Sequence, residues 1–272
     1  MIFKLKKQIE EILKDIEDKN FEADLIISNI TKLQKKDWIL KKDLSLKEIK
    51  ACLKLSKKRK KGIPLQYLIG DWEFYGAEIK VGKGVLIPRQ DTEKVVDIAL
   101  SLIKKDEKIL DLGTGSGCIS KAIAKNKKNV TIIAVEKYTN AIRYAKKNLK
   151  NFGNVKIIRG DILNKRLAKK FKDVDLIISN PPYLTENEMK NLQKEVEFEP
   201  KSALFGGKNG LRYYETISSI WKESLKKGGY IIFEIGSLQR EAVEKILERN
   251  SFKDIKTYKD LAKKDRVTVA KK

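Results

Sequence analysis

From residue 108 onward the chain alternates short apolar runs with helical patterns, and this alternation constrains its fold more than any other feature. The runs lie at 108–112, 130–135, 155–158, 174–179 and 230–235. They are apolar almost throughout rather than at every second residue, as strands buried on both faces must be. Between them, 117–125, 139–148 and 210–225 carry apolar residues at helical spacing. This order predicts an α/β doubly wound, Rossmann-like sheet with helices on its faces. The tail departs from it. A helix near 237–249 precedes two strand candidates, 255–258 and 266–270, too close together for a crossover helix. They predict an antiparallel pair.

The N-terminal part has a different texture. Ile2, Leu5, Ile9, Ile12, Leu13 and Ile16 predict a helix over 2–16, and Asn20 is read as its break. Phe21, Leu25, Ile26, Ile30 and Leu33 predict a second helix. Ser45-Leu46-Lys47-Glu48 is a capping-box pattern ahead of a third. The pattern changes at Gly62-Ile63-Pro64. Aromatic and β-branched residues then alternate with glycine up to Ile87, which predicts a β-hairpin. Asp91-Thr92 reads as the start of the next helix. The expected boundaries are 1–65 for a helical bundle, 66–90 for a hairpin linker and 91–272 for the sheet domain.

Composition removes whole classes of chemistry. The chain has no histidine and only two cysteines, Cys52 and Cys118. Ser-His-Asp, Cys-His and histidine–metal mechanisms are excluded, and no residues have metal-ligand spacing. Lys and Arg total 60 against 37 acidic residues, a net +23. Such a field attracts polyanions. It also arises where solvated lysine covers every surface, so charge does not name a substrate. Weak non-specific nucleic-acid binding is the expectation it supports. No apolar run approaches the ~20 residues of a membrane span, and the N-terminus lacks a secretory h-region. The expectation is a cytoplasmic protein with no membrane contact.

Four segments carry the chemistry. Ile109-Leu110-Asp111-Leu112-Gly113-Thr114-Gly115-Ser116-Gly117 joins a strand to a helix. Alternating glycines let the backbone turn tightly against a ligand. The third glycine comes one residue too early for a dinucleotide fingerprint, and no Gly-Lys-Ser/Thr follows as in a P-loop. The loop assigns Asp111, Gly113, Thr114, Gly115, Ser116 and Gly117 to a bound cofactor. Glu136 ends the next strand, where a carboxylate accepts the hydroxyls of a ribose. Asp161 and Ile162 follow the third strand. Asp161 is placed to accept from an adenine amine or to cap a turn, and Ile162 to pack on the ring. The fourth segment, Asn180-Pro181-Pro182-Tyr183, follows the run 174–179. Two prolines continue neither strand nor helix. Their carbonyls, with that of Asn180, form a rigid cradle of acceptors beside an aromatic ring, suited to a planar –NH2 group. Asn180 counts with both the catalytic and the cofactor residues.

In this order the four segments resemble a class I S-adenosylmethionine-dependent methyltransferase acting on an amide or amine nitrogen. Asn-Pro-Pro-Tyr is shared by enzymes that methylate the exocyclic amine of adenine and by enzymes that methylate glutamine in proteins. Further segments are similar to the second group. They are Pro64-Leu65-Gln66-Tyr67-Leu68-Ile69-Gly70, Val85-Leu86-Ile87-Pro88-Arg89, Glu199-Pro200, Gly206-Gly207, Gly210-Leu211, Glu234-Ile235-Gly236 and Asp265-Arg266. From about residue 59 to the end the chain resembles the peptide chain release factor glutamine methyltransferase (HemK/PrmC) family.

The resemblance implies S-adenosylmethionine as cofactor and the glutamine of the Gly-Gly-Gln motif of class-1 release factors as substrate. It places the protein in translation termination. The N-terminal bundle reads most simply as a substrate-docking domain, and a monomer is the expectation, though the sequence does not fix oligomeric state. Asn180 and Pro181 would accept the two N–H bonds of the substrate amide, with Pro182 stiffening the turn and Tyr183 packing on the amide plane. Gln90-Asp91, Asn209 and Ile162 depart from the family pattern. Two readings compete: an adenine-amine methyltransferase acting on DNA or RNA, and an inactive RNA- or ribosome-binding module.

Overall fold

The structure, a computed structural model, describes residues 1–39 and 43–272. The chain divides into two compact units. One is Met1–Asp71 with Gln193–Phe198, and the other is Trp72–Leu192 with Glu199–Lys272.

The first unit holds α1 (Ile2–Ile12), α2 (Lys19–Thr31), α3 (Leu46–Lys60) and α4 (Leu65–Ile69). Ile2, Leu5 and Ile9 of α1 pack with Ala23, Ile26 and Ile27 of α2, with Cys52 of α3 and with Leu65 of α4. The first helix is shorter than its periodicity predicts. Leu13 is buried but leaves helical geometry at φ −96°, and Asn20 lies inside α2 instead of breaking α1. The capping box of α3 forms: Glu48 N donates to Ser45 Oγ at 3.2 Å, and Ser45 N donates to Glu48 Oε2 at 2.8 Å. Such a cap stabilises a helix by about 1 kcal/mol. Arg59 is buried and bidentate on Glu22, at 2.7 and 2.8 Å, and it also pairs with Glu195. Burial disfavours its charge, but the two carboxylates more than offset this and hold its pKa above the ordinary value.

The second unit opens with a hairpin, β1 (Asp71–Phe74) and β2 (Ala77–Lys80). Its turn residues Tyr75 and Gly76 both have positive φ, as a tight hairpin turn requires. A seven-stranded sheet follows: β3 (Lys108–Leu112), β4 (Thr131–Glu136), β5 (Val155–Arg159), β6 (Val174–Ser179), β7 (Leu225–Glu234), β8 (Lys253–Lys259) and β9 (Asp265–Lys271), in the order β5-β4-β3-β6-β7-β9-β8. Strands β3 to β7 are parallel. β9 runs antiparallel between β7 and β8, so the predicted terminal pair forms and also extends the main sheet. The helices are α5 (Glu93–Leu102), α6 (Cys118–Asn126), α7 (Thr139–Leu149), the short α8 (Lys165–Ala168), α9 (Arg212–Ile220) and α10 (Arg240–Arg249).

The helical stretch expected over 210–225 ends earlier, at Ile220, and β7 starts at Leu225. Pairing jumps from Val174↔Leu225 to Leu176↔Tyr230, and the extra β7 residues include Gly228-Gly229. Trp221, fully buried, stacks on Phe171 with ring centroids 5.6 Å apart, and its Nε1 donates to the Ile162 carbonyl at 2.7 Å. The core thus reaches the backbone of a predicted site residue. No helix among the described residues is long and apolar enough to cross a membrane.

Candidate active site

Parallel β3, β4, β5 and β6 end on one side of the sheet, where open α/β folds bind ligands. Each of the four predicted segments leaves one of these ends. Gly113, Gly115 and Gly117 all have positive φ, so the glycines are spent on backbone geometry. The loop is held from beneath by Asp111. Its Oδ2 accepts from Thr114 Oγ1 at 2.6 Å and from Ser120 Oγ at 2.5 Å. Burial pushes the Asp111 carboxyl above its ordinary pKa, against those two hydrogen bonds.

Glu136 braces the loop from the neighbouring strand. Its Oε2 accepts from Gly115 N at 2.9 Å, while Oε1 accepts from the N–H groups of Lys137, at 2.7 Å, and Tyr138, at 2.9 Å. Both lone pairs of Oε1 are thereby taken, and Oε2 keeps one for a ligand hydroxyl. Asp161 accepts from Leu163 N at 2.9 Å and from Lys137 Nζ at 2.8 Å. Burial would raise its pKa, but these bonds and the charges of Lys137 and Arg212 lower it. Both of the roles foreseen for Asp161 are therefore open: it caps the turn and still faces the cavity.

Asn180 donates from Nδ2 to Thr92 Oγ1 at 3.2 Å, which turns its side-chain carbonyl away from Thr92. The turn it begins is clamped by the segment that follows. Gly206 N donates to Leu184 O at 2.8 Å, and Gln239 Nε2 donates to Tyr183 O at 3.0 Å. A Cβ on Gly206 would meet the Pro182 carbonyl and the Tyr183 Cα, both at 2.7 Å, so only glycine fits. The loop before α5 forms the opposite wall. Buried Glu199 fixes it by accepting from Ile87 N at 2.9 Å and by pairing with Arg89.

These segments enclose a cavity with about 920 Å³ of empty space, part of it open to solvent. Of the predicted residues, Gly113, Thr114, Gly115, Ser116, Glu136, Asp161, Ile162, Asn180 and Pro182 line it. Asp111, Gly117, Pro181 and Tyr183 do not. Asp111 and Gly117 shape the loop from behind, and Pro181 is buried. The Tyr183 ring packs against the sheet core instead of over the cavity, and burial pushes its hydroxyl up to about 12. Sequence reasoning missed Thr92, Tyr138 and Tyr213, which also line the cavity. Thr92 was legible only as a helix start. Tyr138 stood two residues past Glu136, where a ring for a base is plausible on spacing alone. Tyr213 carried no local signal. Among the described residues no cluster of His, Cys, Asp or Glu could hold a metal ion.

The lining fits S-adenosylmethionine. Glu136 keeps a free carboxylate lone pair of the kind a ribose hydroxyl needs, Ile162 and the tyrosines present apolar surface, and the glycine loop offers bare backbone with no phosphate-binding lysine. Comparison with known proteins agrees. Residues 90–204 match the Methyltransferase small domain and residues 4–70 the PrmC N-terminal domain. Proteins named release factor glutamine methyltransferase are similar over nearly the whole chain. The one from Clostridium acetobutylicum is 38% identical, covering 95% of this chain and 94% of its own. That from Aquifex aeolicus is 35% identical, covering 100% and 98%. That from Fusobacterium nucleatum is 39% identical, covering 98% and 77%. Among solved structures, the hMettl16 catalytic domain in complex with a MAT2A 3'UTR hairpin superposes with a TM-score of 0.60 at 15% identity, covering 90% of this chain and 91% of its own. A methyltransferase from Pyrococcus furiosus gives 0.55 at 17% identity, covering 73% and 90%. These two likenesses are of fold, the class I methyltransferase fold that the strand order describes. With relatives this similar over this much of its length, the chain belongs to the release factor glutamine methyltransferase family.

Proposed function

We propose that the protein transfers a methyl group from S-adenosylmethionine to the side-chain amide nitrogen of the glutamine in the Gly-Gly-Gln motif of class-1 peptide chain release factors. The observation that carries this reading is the Asn180 side chain. It lines the same cavity as the glycine loop and Glu136, and its amide nitrogen is committed to Thr92. Its carbonyl is left to accept an N–H of a planar substrate amide. Family membership supplies the identity of that amide.

When bound, S-adenosylmethionine supplies an activated methyl on a sulfonium. An amide nitrogen is a poor nucleophile, so the protein's task is to place it and exclude water. Asn180 Oδ1 accepts one N–H of the glutamine. An acceptor there suits a nitrogen that gains positive character as it reacts. The 85–89 loop, pinned by Glu199, walls the slot in which a glutamine side chain lies. Tyr183 holds the turn through its packed ring.

The helical unit presents the docking surface for the release factor. Its own hydrophobic core and its match to a separate N-terminal domain support that division. Weak non-specific nucleic-acid binding follows from the +23 charge. The protein acts in the cytoplasm, as a monomer.

The test is transfer of label from methyl-labelled S-adenosylmethionine to a purified release factor. A factor with its Gly-Gly-Gln glutamine changed, DNA and RNA are assayed in parallel. Label on the unchanged factor alone is expected. Label on nucleic acid with none on protein would overturn the assignment.

A further inference from the structure

We infer that Asn148 is a positioning residue that holds the glycine loop of the cofactor site and the wall of the substrate slot at a fixed separation. The inference rests on the transfer reaction proposed above. Asn148 lies on α7, is 4% exposed and stands outside the cavity lining. Its Oδ1 accepts from Lys80 N at 2.7 Å. Its Nδ2 donates to Lys80 O at 3.0 Å and to Ser116 O at 2.9 Å. A backbone N–H only donates, so Lys80 fixes which end of the amide faces it.

The oxygen and both N–H groups of this amide are all engaged. Securing the end of β2 would take only the two bonds to Lys80. The third bond goes to a different element, the glycine loop, whose Ser116 lines the cavity. A carboxylate, a hydroxyl or a hydrocarbon of similar size cannot accept once and donate twice. The residue type therefore matches a tie between two elements better than the capping of one.

The rest of α7 extends the tie in both directions. Toward the glycine loop, a Cβ on Gly117 would lie 2.8 Å from Leu149 Cδ1 and 3.5 Å from Ala145 Cα. Toward the hairpin, Asn140, Tyr144 and Asn148 recur every fourth residue and share one face of the helix. A Cβ on Gly82 would lie 2.1 Å from the Tyr144 hydroxyl oxygen, and one on Gly84 2.8 Å from Asn140 Cβ. The chain from Lys80 to Gly84 thus lies against α7 as closely as bare backbone allows. It runs directly into Val85 and Leu86, which line the cavity with Gly84. One helix sets the separation between the loop of the methyl donor and the wall of the glutamine slot. A misplacement of about 1 Å in such a site costs up to about a hundredfold in rate.

The experiment measures kcat and KM with a release factor, and S-adenosylmethionine affinity by calorimetry, for wild type, Asn148→Leu and Asn148→Ser. The shorter serine hydroxyl cannot reach both partners, and it keeps the test open should the leucine variant not fold. Ile246→Val, a buried substitution on α10, is the control for lost stability. Both Asn148 variants are expected to lower kcat by about tenfold or more, with little change in KM and a smaller loss of cofactor affinity. Ile246→Val is expected to keep wild-type kcat at a temperature where every variant is folded. Hydrogen exchange of residues 77–83, none of which lines the cavity, is followed with and without S-adenosylmethionine. The cofactor is expected to slow exchange there in wild type and to leave it unchanged in the Asn148 variants. Wild-type kcat in either Asn148 variant, an equal loss of kcat in Ile246→Val, or equal slowing of exchange without Asn148 would overturn the inference. A wild type that leaves release factor unmethylated would overturn the substrate assignment instead, while the exchange measurement would still decide the tie.

Discussion

Asn180 and Glu136 divide the work of the site. With Asn180 holding the reacting amide as proposed, Asn180→Ala is expected to lower kcat by about a hundredfold or more. Cofactor affinity, measured by calorimetry, is expected to stay near wild type. Glu136 braces the glycine loop and lines the cavity, so Glu136→Ala is expected to weaken cofactor binding by about tenfold or more, the loss of a charge-assisted hydrogen bond. Equal cofactor affinity in wild type and Glu136→Ala would remove Glu136 from the cofactor site. Glu234 gives a pH signature in stability. Its folded pKa is raised from 4.5 to about 7, with burial the largest cause. A raised pKa means the group favours folding while protonated, and that contribution is lost as pH rises from 4.5 through about 7. Glu234→Gln is expected to flatten this part of the Tm-against-pH curve. At this scale the sequence disclosed groups with strong local grammar, namely the glycines, the carboxylate at a strand end and the double proline. It did not disclose Thr92 or Tyr213, because their place depends on which loops the fold brings together. Nor did it disclose that the Tyr183 ring turns into the core, since a strand end exposes both directions equally.

The elements carry the site because their ends are tied to the core. Trp221 links α9 to the Ile162 carbonyl, and Gly206 lets the 204–210 segment lie against Pro182 and Tyr183. Gly206→Ala is expected to displace the Asn180 turn, since a Cβ has 2.7 Å where van der Waals contact needs more. Activity is expected to fall while the melting transition remains cooperative. Wild-type kcat in Gly206→Ala would show that the turn tolerates the shift. Strand and helix existence was legible wherever an apolar run was bounded by turn residues, as in β3, β4, β5 and β6. Boundaries were not. The early end of α1 at Ile12 and the early start of β7 at Leu225 reflect tertiary packing and a register jump that periodicity does not encode. α8 is too short, and the 3-10 turns between 188 and 203 too irregular, to leave a periodic trace.

At the scale of the whole molecule, two units each have a hydrophobic core of their own, and the proposed function divides docking and chemistry between them. The chain leaves the sheet unit after Leu192, contributes Gln193–Phe198 to the helical unit and returns at Glu199. Nothing local in 193–198 announced this excursion, because it is specified by the pairing of Glu195 with buried Arg59, far apart in sequence. The net +23 acts at this scale too, speeding encounters with anionic surfaces without selecting among them. Methyl transfer to release factor is therefore expected to slow with added salt chiefly through KM, since screening weakens encounter and leaves the buried site alone. The central claim concerns one atom, the side-chain nitrogen of one glutamine. Tandem mass spectrometry of a release factor after turnover with S-adenosylmethionine tests it most directly. The account predicts a single added methyl on the side-chain amide of the Gly-Gly-Gln glutamine, absent when Asn180→Ala replaces the wild type. A methyl on any other residue, or an unmodified factor beside a fully active enzyme on nucleic acid, would contradict it.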